Sequence, residues 1–189
     1  MRQLKRFYQE VYKYDSKHNS YQIDVLLDAY EDVYDEWDAS PFKRRDIEDE
    51  FDDFITDSSS DIPLKYGVSI NLFLPKNVYD ERKERLLIEA YENFYQFKLK
   101  RALKVRQNMN RKILNYLVLA IIFLFVGYFY LPDEEGILFK LVKEGIFIGG
   151  WVFLWEVFTL LFISESEQTR EVKLIKRLLM SNLNFIYKD

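Results

Sequence analysis

The sequence predicts an α+β domain, about β-α-β-α, joined by a long helix to a two-helix transmembrane hairpin. Three observations carry this. Residues 113–131, ILNYLVLAIIFLFVGYFYL, hold no charge, and residues 145–163, GIFIGGWVFLWEVFTLLFI, hold only Glu156. Nineteen helical residues rise roughly 28 Å, close to the hydrocarbon thickness of a bilayer. Charge is also segregated: residues 1–97 contain 13 Lys/Arg against 22 Asp/Glu (net −9), whereas residues 98–112 contain seven basic residues and no acidic ones. The third observation is an alternating apolar run at residues 64–75 followed by helical periodicity that no Pro or Gly interrupts from 78 to 126.

The elements follow in order. Residues 1–15 place Leu4, Phe7, Tyr8, Val11 and Tyr12 at helical spacing among Arg2, Lys5, Arg6 and Lys13, an amphipathic helix that packs on its own domain or lies on an anionic leaflet. YQIDVLL, residues 21–27, alternates as a half-buried strand, followed by a short helix over 29–37; a single helix from Ile23 to Trp37 fits nearly as well. Ser40 before Pro41 reads as an N-cap with proline at the first helical position, which predicts a helix over about 41–57 ended by DSSSD, with Phe42, Ile47, Phe51, Phe54 and Ile55 as its apolar stripe. LKYGVSINLFLP is the clearest strand, with Tyr66, Val68, Ile70, Leu72 and Leu74 on one face and Pro75 as its stop. A helix from about Val78 then presents Leu86, Leu87, Ala90, Tyr91, Phe94 and Phe97.

The predicted organisation is a cytosolic α+β domain at 1–97, a basic juxtamembrane helix at 98–112, a transmembrane hairpin at 113–163 and a cytosolic C-terminal helix or tail at 164–189. Two strands make a poor sheet, so self-association is expected to cover its edges. Lys98, Lys100, Arg101, Lys104, Arg106, Arg111 and Lys112 form a block suited to lipid headgroups. The positive-inside rule puts both termini in the cytoplasm, as in a multi-pass protein of the inner (plasma) membrane. The N-terminus has no apolar stretch of signal-peptide type, and there is no cysteine for disulfide or thiolate chemistry.

Chemistry is thinly represented. The single histidine, His18, sits in a polar turn without an evident carboxylate partner, and there is no glycine-rich phosphate loop. Asp46, Asp49, Glu50 and Asp53 share one face of the predicted helix but lack the flexible loop of a calcium site, so they read as a solvated face rather than a metal cage. Neither enzyme activity, cofactor nor nucleic-acid binding is expected; a hydrolase using the aspartate-rich helix is the weakest of the readings kept. Ser40, Arg44, Arg45 and Asp46 form a candidate recognition site at a helix start, against the plainer reading of a capped helix with bridging side chains.

Glu156 is the most informative residue. It lies about 10 Å below the inner end of its span, where a bare charge is costly. Helical spacing sets it in a stripe with Gly145, Gly149, Val152 and Thr159, which permits close helix approach sealed by a carboxyl hydrogen bond. Its partner is Asn115 or Tyr116 of the first span, or the same residue in another subunit. Phe147, Trp151, Leu154, Phe158 and Leu161 form the opposite, bulky face. The stripe either joins helices or lines a symmetric cation path.

The segments WDASPFKRRDIEDE and GIFIGGWVFLWEVF resemble those of a family of uncharacterised bacterial two-span membrane proteins, with the likeness extending from about Tyr21 to Arg177. Its matching positions are Asp38, Ser40, Pro41, Phe42, Arg45 and Asp46, then Glu144, Gly145, Ile148, Gly150, Trp151, Val152 and Trp155. The resemblance implies two-span topology and carries no activity. Glu156-Val157 departs from the more basic or prolyl continuation, which makes any role of Glu156 particular to a subgroup. The expectation is a homo-oligomeric pore or channel-like effector in contact with membrane lipid; the alternative is a membrane-anchored scaffold that recruits a cytosolic protein.

Overall fold

The computed structural model describes residues 7–35, 38, 46–130 and 136–188. The chain divides into two units, one taking in residues up to Lys100 together with those from Glu171 onward, the other running from Arg101 to Arg170.

The first unit is a small α/β domain on a mixed four-stranded sheet of order β1-β2-β3-β4. β1 (Lys13–Asp15) and β2 (Ser20–Leu26) form an antiparallel hairpin. Its turn is held by Asp15, whose carboxylate accepts the Lys17 amide at 2.9 Å and meets His18 Nδ1 at 2.6 Å, and Asn19 takes the left-handed conformation (φ 49°). β3 (Gly67–Pro75) runs parallel to β2, with Ile23 opposite Ile70. β4 (Asn182–Lys188) runs parallel to β3 on its other side, with Leu183 opposite Ile70 and Phe185 opposite Leu72.

The predicted strands at 21–27 and 64–75 are therefore β2 and β3, and the C-terminal segment expected as helix or tail supplies the fourth strand. β4 completes the burial of β3, whose Ile70 and Leu72 are wholly inaccessible. Alternation sends Tyr21, Ile23, Val25, Val68, Ile70, Leu72 and Leu74 to the core face, where the buried stripes of three helices complete the core. These are α2 (Asp49–Asp61) with Phe51 and Ile55, the first turns of α3 (Glu81–Phe125) with Leu87, Ala90, Tyr91 and Tyr95, and α5 (Glu165–Leu179) with Val172, Ile175 and Leu178. The other face carries Asp24, Asn71 and Asn184 in one register row, joined by hydrogen bonds of 2.7 and 3.0 Å.

Three predicted boundaries move. The N-terminal helix, α1, covers only Phe7–Val11 of the described residues, because the chain turns into β1 at Lys13. Tyr8 is buried in a cluster with Tyr14, Tyr21 and Tyr66, ring centroids 5.0–6.3 Å apart. The helix over 29–37 shrinks to one 3₁₀ turn, Tyr30–Val33, with the Asp28 and Ala29 amides capped by Asp32. The helix expected from 41 starts at Asp49 and continues through DSSSD to Asp61. Ile47 pairs instead with Tyr34 in an antiparallel bridge, an arrangement that satisfies the Asp35 and Glu48 amides. In α3 the buried stripe contains Tyr95, while Phe97, expected inside, is 62% exposed.

The second unit holds two apolar helices, each long and apolar enough to cross a membrane. One is the C-terminal part of α3, a single helix of 45 residues extended by a π-helical turn, Val126–Tyr130. The other is α4 (Ile137–Thr159), continued by a second π-helical turn, Leu160–Ser164, into α5.

Candidate functional site

The apolar pair is built on close approach. A Cβ at Gly150 would lie 2.9 Å from Leu124, and one at Gly149 3.0 Å from the Phe123 ring. Phe153 fits between Tyr116 and Phe123, with centroids at 6.0 and 5.4 Å, and Phe147 meets the Tyr128 ring edge-on at 4.8 Å. Gly150 and Val157 are the buried positions of α4 among the described residues. They sit one seven-residue interval apart, so the face of α4 turned to α3 is centred on Gly150 and Val157.

The predicted stripe is accordingly divided. Gly149 touches α3, but a Cβ at Gly145 would meet nothing within 4 Å. Val152 is 60% exposed and Glu156 is exposed, its carboxyl making no hydrogen bond to another described residue. Thr159 donates its hydroxyl to Trp155 O, 3.1 Å away, one turn back on its own helix. Tyr116, an expected partner of Glu156, stacks on Phe153 instead. Of the opposite face, Phe147 packs on Tyr128 in the π-helical turn that follows α3, while Trp151, Phe158 and Leu161 are exposed. Gly150, Phe153 and Val157 were missed as the packing face; their i, i+3, i+7 spacing was present in the sequence beside the Gly149 signal.

The basic block also divides. Lys98 turns into the α/β domain and forms an ion pair with Asp52, its ammonium 5.7 Å from the Phe94 and Tyr95 ring centroids. Asp52 is buried on α2 and accepts the Tyr95 hydroxyl at 2.5 Å. Burial, reinforced by the neighbouring Tyr91 and the Asp52 charge, raises the Tyr95 pKa well above that of an ordinary phenol, so Tyr95 stays a donor. Lys100, Arg101, Lys104, Arg111 and Lys112 are exposed and Arg106 is half-buried.

Of the soluble recognition residues, Ser40, Arg44 and Arg45 lie outside the described residues. Asp46 is exposed, and its amide is held by the Asp38 carboxylate at 2.8 Å, clasping the two ends of the segment between them. His18, read as unpartnered, pairs with Asp15, whose pKa is lowered by that hydrogen bond. Among the described residues no cluster of three His, Asp or Glu is placed to hold a metal ion.

One residue that sequence reasoning did not single out organises a further part of the domain. Arg177 of α5 donates to the Ser59 hydroxyl from Nε (3.1 Å) and Nη2 (2.7 Å), to Ser59 O, and from Nη1 to Ile62 O (2.9 Å) and Pro63 O (3.3 Å). It closes the C-terminus of α2, where free carbonyls and the helix dipole favour a cation. The apolar helices and this α/β domain define the chain as a small mixed-sheet domain carrying two membrane-length helices. Comparison with protein-family models, with curated proteins and with solved structures gives no match.

Proposed function

We propose that the protein is an integral membrane protein of the two-span type that its sequence resembles, self-assembling through α4 as a pore or channel-like effector with a cytoplasmic α/β regulatory domain. The carrying observation is Glu156, an exposed carboxyl on a face of α4 that it shares with exposed Val152 and the open backbone at Gly145. In hydrocarbon such a group is stable only against protein or water, and a second copy supplies both the glycine groove and the polar contact. The sheet supports the topology: β3 and β4 are neighbours, so the chain between Pro75 and Asn182 crosses any bilayer an even number of times. The exposed Lys/Arg of residues 100–112 orient the domain to the cytoplasmic side.

The test is the mass of the full-length protein in nanodiscs together with its conductance in planar bilayers. A ring of subunits whose cation selectivity changes with Glu156→Gln is expected; a monomer, or no conductance at any pH or voltage, refutes it. A second reading, a membrane-anchored adaptor for a cytosolic protein, is favoured by the polar row Asp24–Asn71–Asn184 on the sheet, in which Asp24 and Asn184 are exposed on either side of a buried Asn71. It expects partner recovery that survives Glu156→Gln and is lost with Asn71→Lys.

A further inference from the structure

The structure assigns a binding groove for a phosphate-bearing anion to the surface where the start of β3 meets α5. A cavity of about 390 Å³ opens there, lined by Lys65, Lys173, Lys176 and Arg177, with Leu64 and Met180 among the apolar wall residues and no carboxylate among those that line it. This is within the size range of small-molecule sites.

The charge of the groove is not the background of the domain. Residues 1–97 carry a net −9, yet four cations and no acid face this one depression. Lys173 and Lys176 are three apart on α5 and so project from the same side of the helix. Lys65 comes from the segment that leads into β3, with its ammonium 4.8 Å from the Tyr66 ring centroid. Among the described residues none of the three lysines forms an ion pair.

Arg177 has a different part. Its N–H groups are committed to Ser59, Ile62 and Pro63, so it fixes the segment leading into Leu64 and Lys65 against α5 and adds positive field without contacting the ligand. It is a positioning residue, and the three lysines are the contacts. Ammonium groups are compact point charges that suit phosphate oxygens approached from several sides. The exposed Met180 and Leu64 side chains provide an apolar rim for the organic part of the ligand. The shared chemistry is a phosphomonoester or diphosphate, drawn either from a soluble ester or from a lipid headgroup.

The experiment uses the full chain in zwitterionic nanodiscs and reads amide hydrogen exchange. One arm adds pyrophosphate; the other places phosphatidate in the disc. Protection confined to residues 64–68 and 173–180 is expected in at least one arm: with pyrophosphate for a soluble source, with phosphatidate alone for a headgroup. The triple variant Lys65→Gln/Lys173→Gln/Lys176→Gln should lower the affinity for that probe at least about tenfold. Slow exchange of the β3 core amides in this variant verifies that it is folded, and Lys17→Gln/Arg82→Gln, at exposed positions outside the lining of the groove, should leave the protection at the groove unchanged. Absence of protection in both arms, or an unchanged affinity in the folded triple variant, overturns the proposal.

Discussion

Replacing Asp52 by alanine should destabilise the α/β domain more than any single change on its surface. The side chain of Asp52 is 10% exposed and serves three donors, the Tyr95 hydroxyl, the Lys98 ammonium and, at 3.4 Å, the Thr56 hydroxyl, of which the first two carry the cost. Tyr95 is wholly buried, so its hydroxyl loses its acceptor without gaining water, at about 1–3 kcal/mol. Lys98 retains 31% exposure, which discounts its part to about 1 kcal/mol. The sum, about 2–4 kcal/mol, is a large fraction of the roughly 5–15 kcal/mol that holds a domain together. The assay is thermal unfolding of the full chain in detergent followed by near-ultraviolet circular dichroism of its tyrosines, with a fall of about 10 °C expected. Asp52→Asn keeps a hydrogen-bond acceptor and loses only the charge, so it should cost about 1 kcal/mol. In a Tyr95→Phe background the alanine substitution should cost measurably less, since the orphaned hydroxyl is gone. A melting point within 2 °C of the parent for Asp52→Ala, or strict additivity with Tyr95→Phe, would refute this account of how α2 is fastened to α3.

Other consequences follow from the same contacts. Arg177→Lys keeps the charge but surrenders the fork of N–H donors to Ser59, Ile62 and Pro63, and should cost about 1–3 kcal/mol in the same assay. Tyr91, Tyr95 and Tyr187 all have raised pKa values, chiefly through burial. The folded state therefore retains protons that the unfolded state loses above about pH 10, so stability should be flat near neutrality and fall as pH rises past that value. Absorbance at 295 nm should show these phenols ionising only with unfolding; free titration of all 14 tyrosines before the melt would contradict it. In the apolar pair, Gly150→Val drives a side chain into Leu124 and should destabilise the packing by about 1–3 kcal/mol, read as loss of a Phe123→Cys to Gly149→Cys crosslink. Gly145→Val meets open space within the chain and should preserve that crosslink while altering subunit assembly in nanodiscs.

What was legible in the sequence was local. β3 could be read because its alternation is regular and Pro75 ends it, and the length and apolarity of the two long helices were evident from residues 113–131 and 145–163. The start of α2 differs from the expected one because the Tyr34–Ile47 bridge, which no local pattern encodes, keeps Ile47 out of the helix; Ser40 and Pro41 themselves lie outside the described residues. The stripe of α3 was misjudged by a fraction of a turn: Tyr95 and Phe97 are both aromatic, and only the position of Asp52 on α2 decides which points inward. The same applies to α4, where Gly145 and Gly149 suggested one face and the bulk of Phe123 and Leu124 selects the face at Gly150.

β4 was the largest omission, and its reason has a consequence for folding. NLNFIYK is only half apolar and its partner β3 lies more than a hundred residues earlier, so nothing near it in sequence announces a strand. Until it is synthesised, β3 is an edge strand with Ile70 and Leu72 open on one flank, and the segment from Arg101 to Arg170 must already have left the ribosome. Pairing at this separation carries a large loop-closure cost unless the intervening chain is already compact, as two packed helices are. The α/β domain therefore closes last, after the apolar pair has formed. A chain ending at Ser181 should retain α3 and α4, and hence full helicity over the apolar segments, yet lose the slow hydrogen exchange of the β3 amides and the near-ultraviolet signal of the buried tyrosines. Adding residues 182–188 back as a peptide should restore part of that protection by strand addition. If the truncated chain already protects β3 as the full chain does, the sheet is complete without its last strand and this order of folding is wrong.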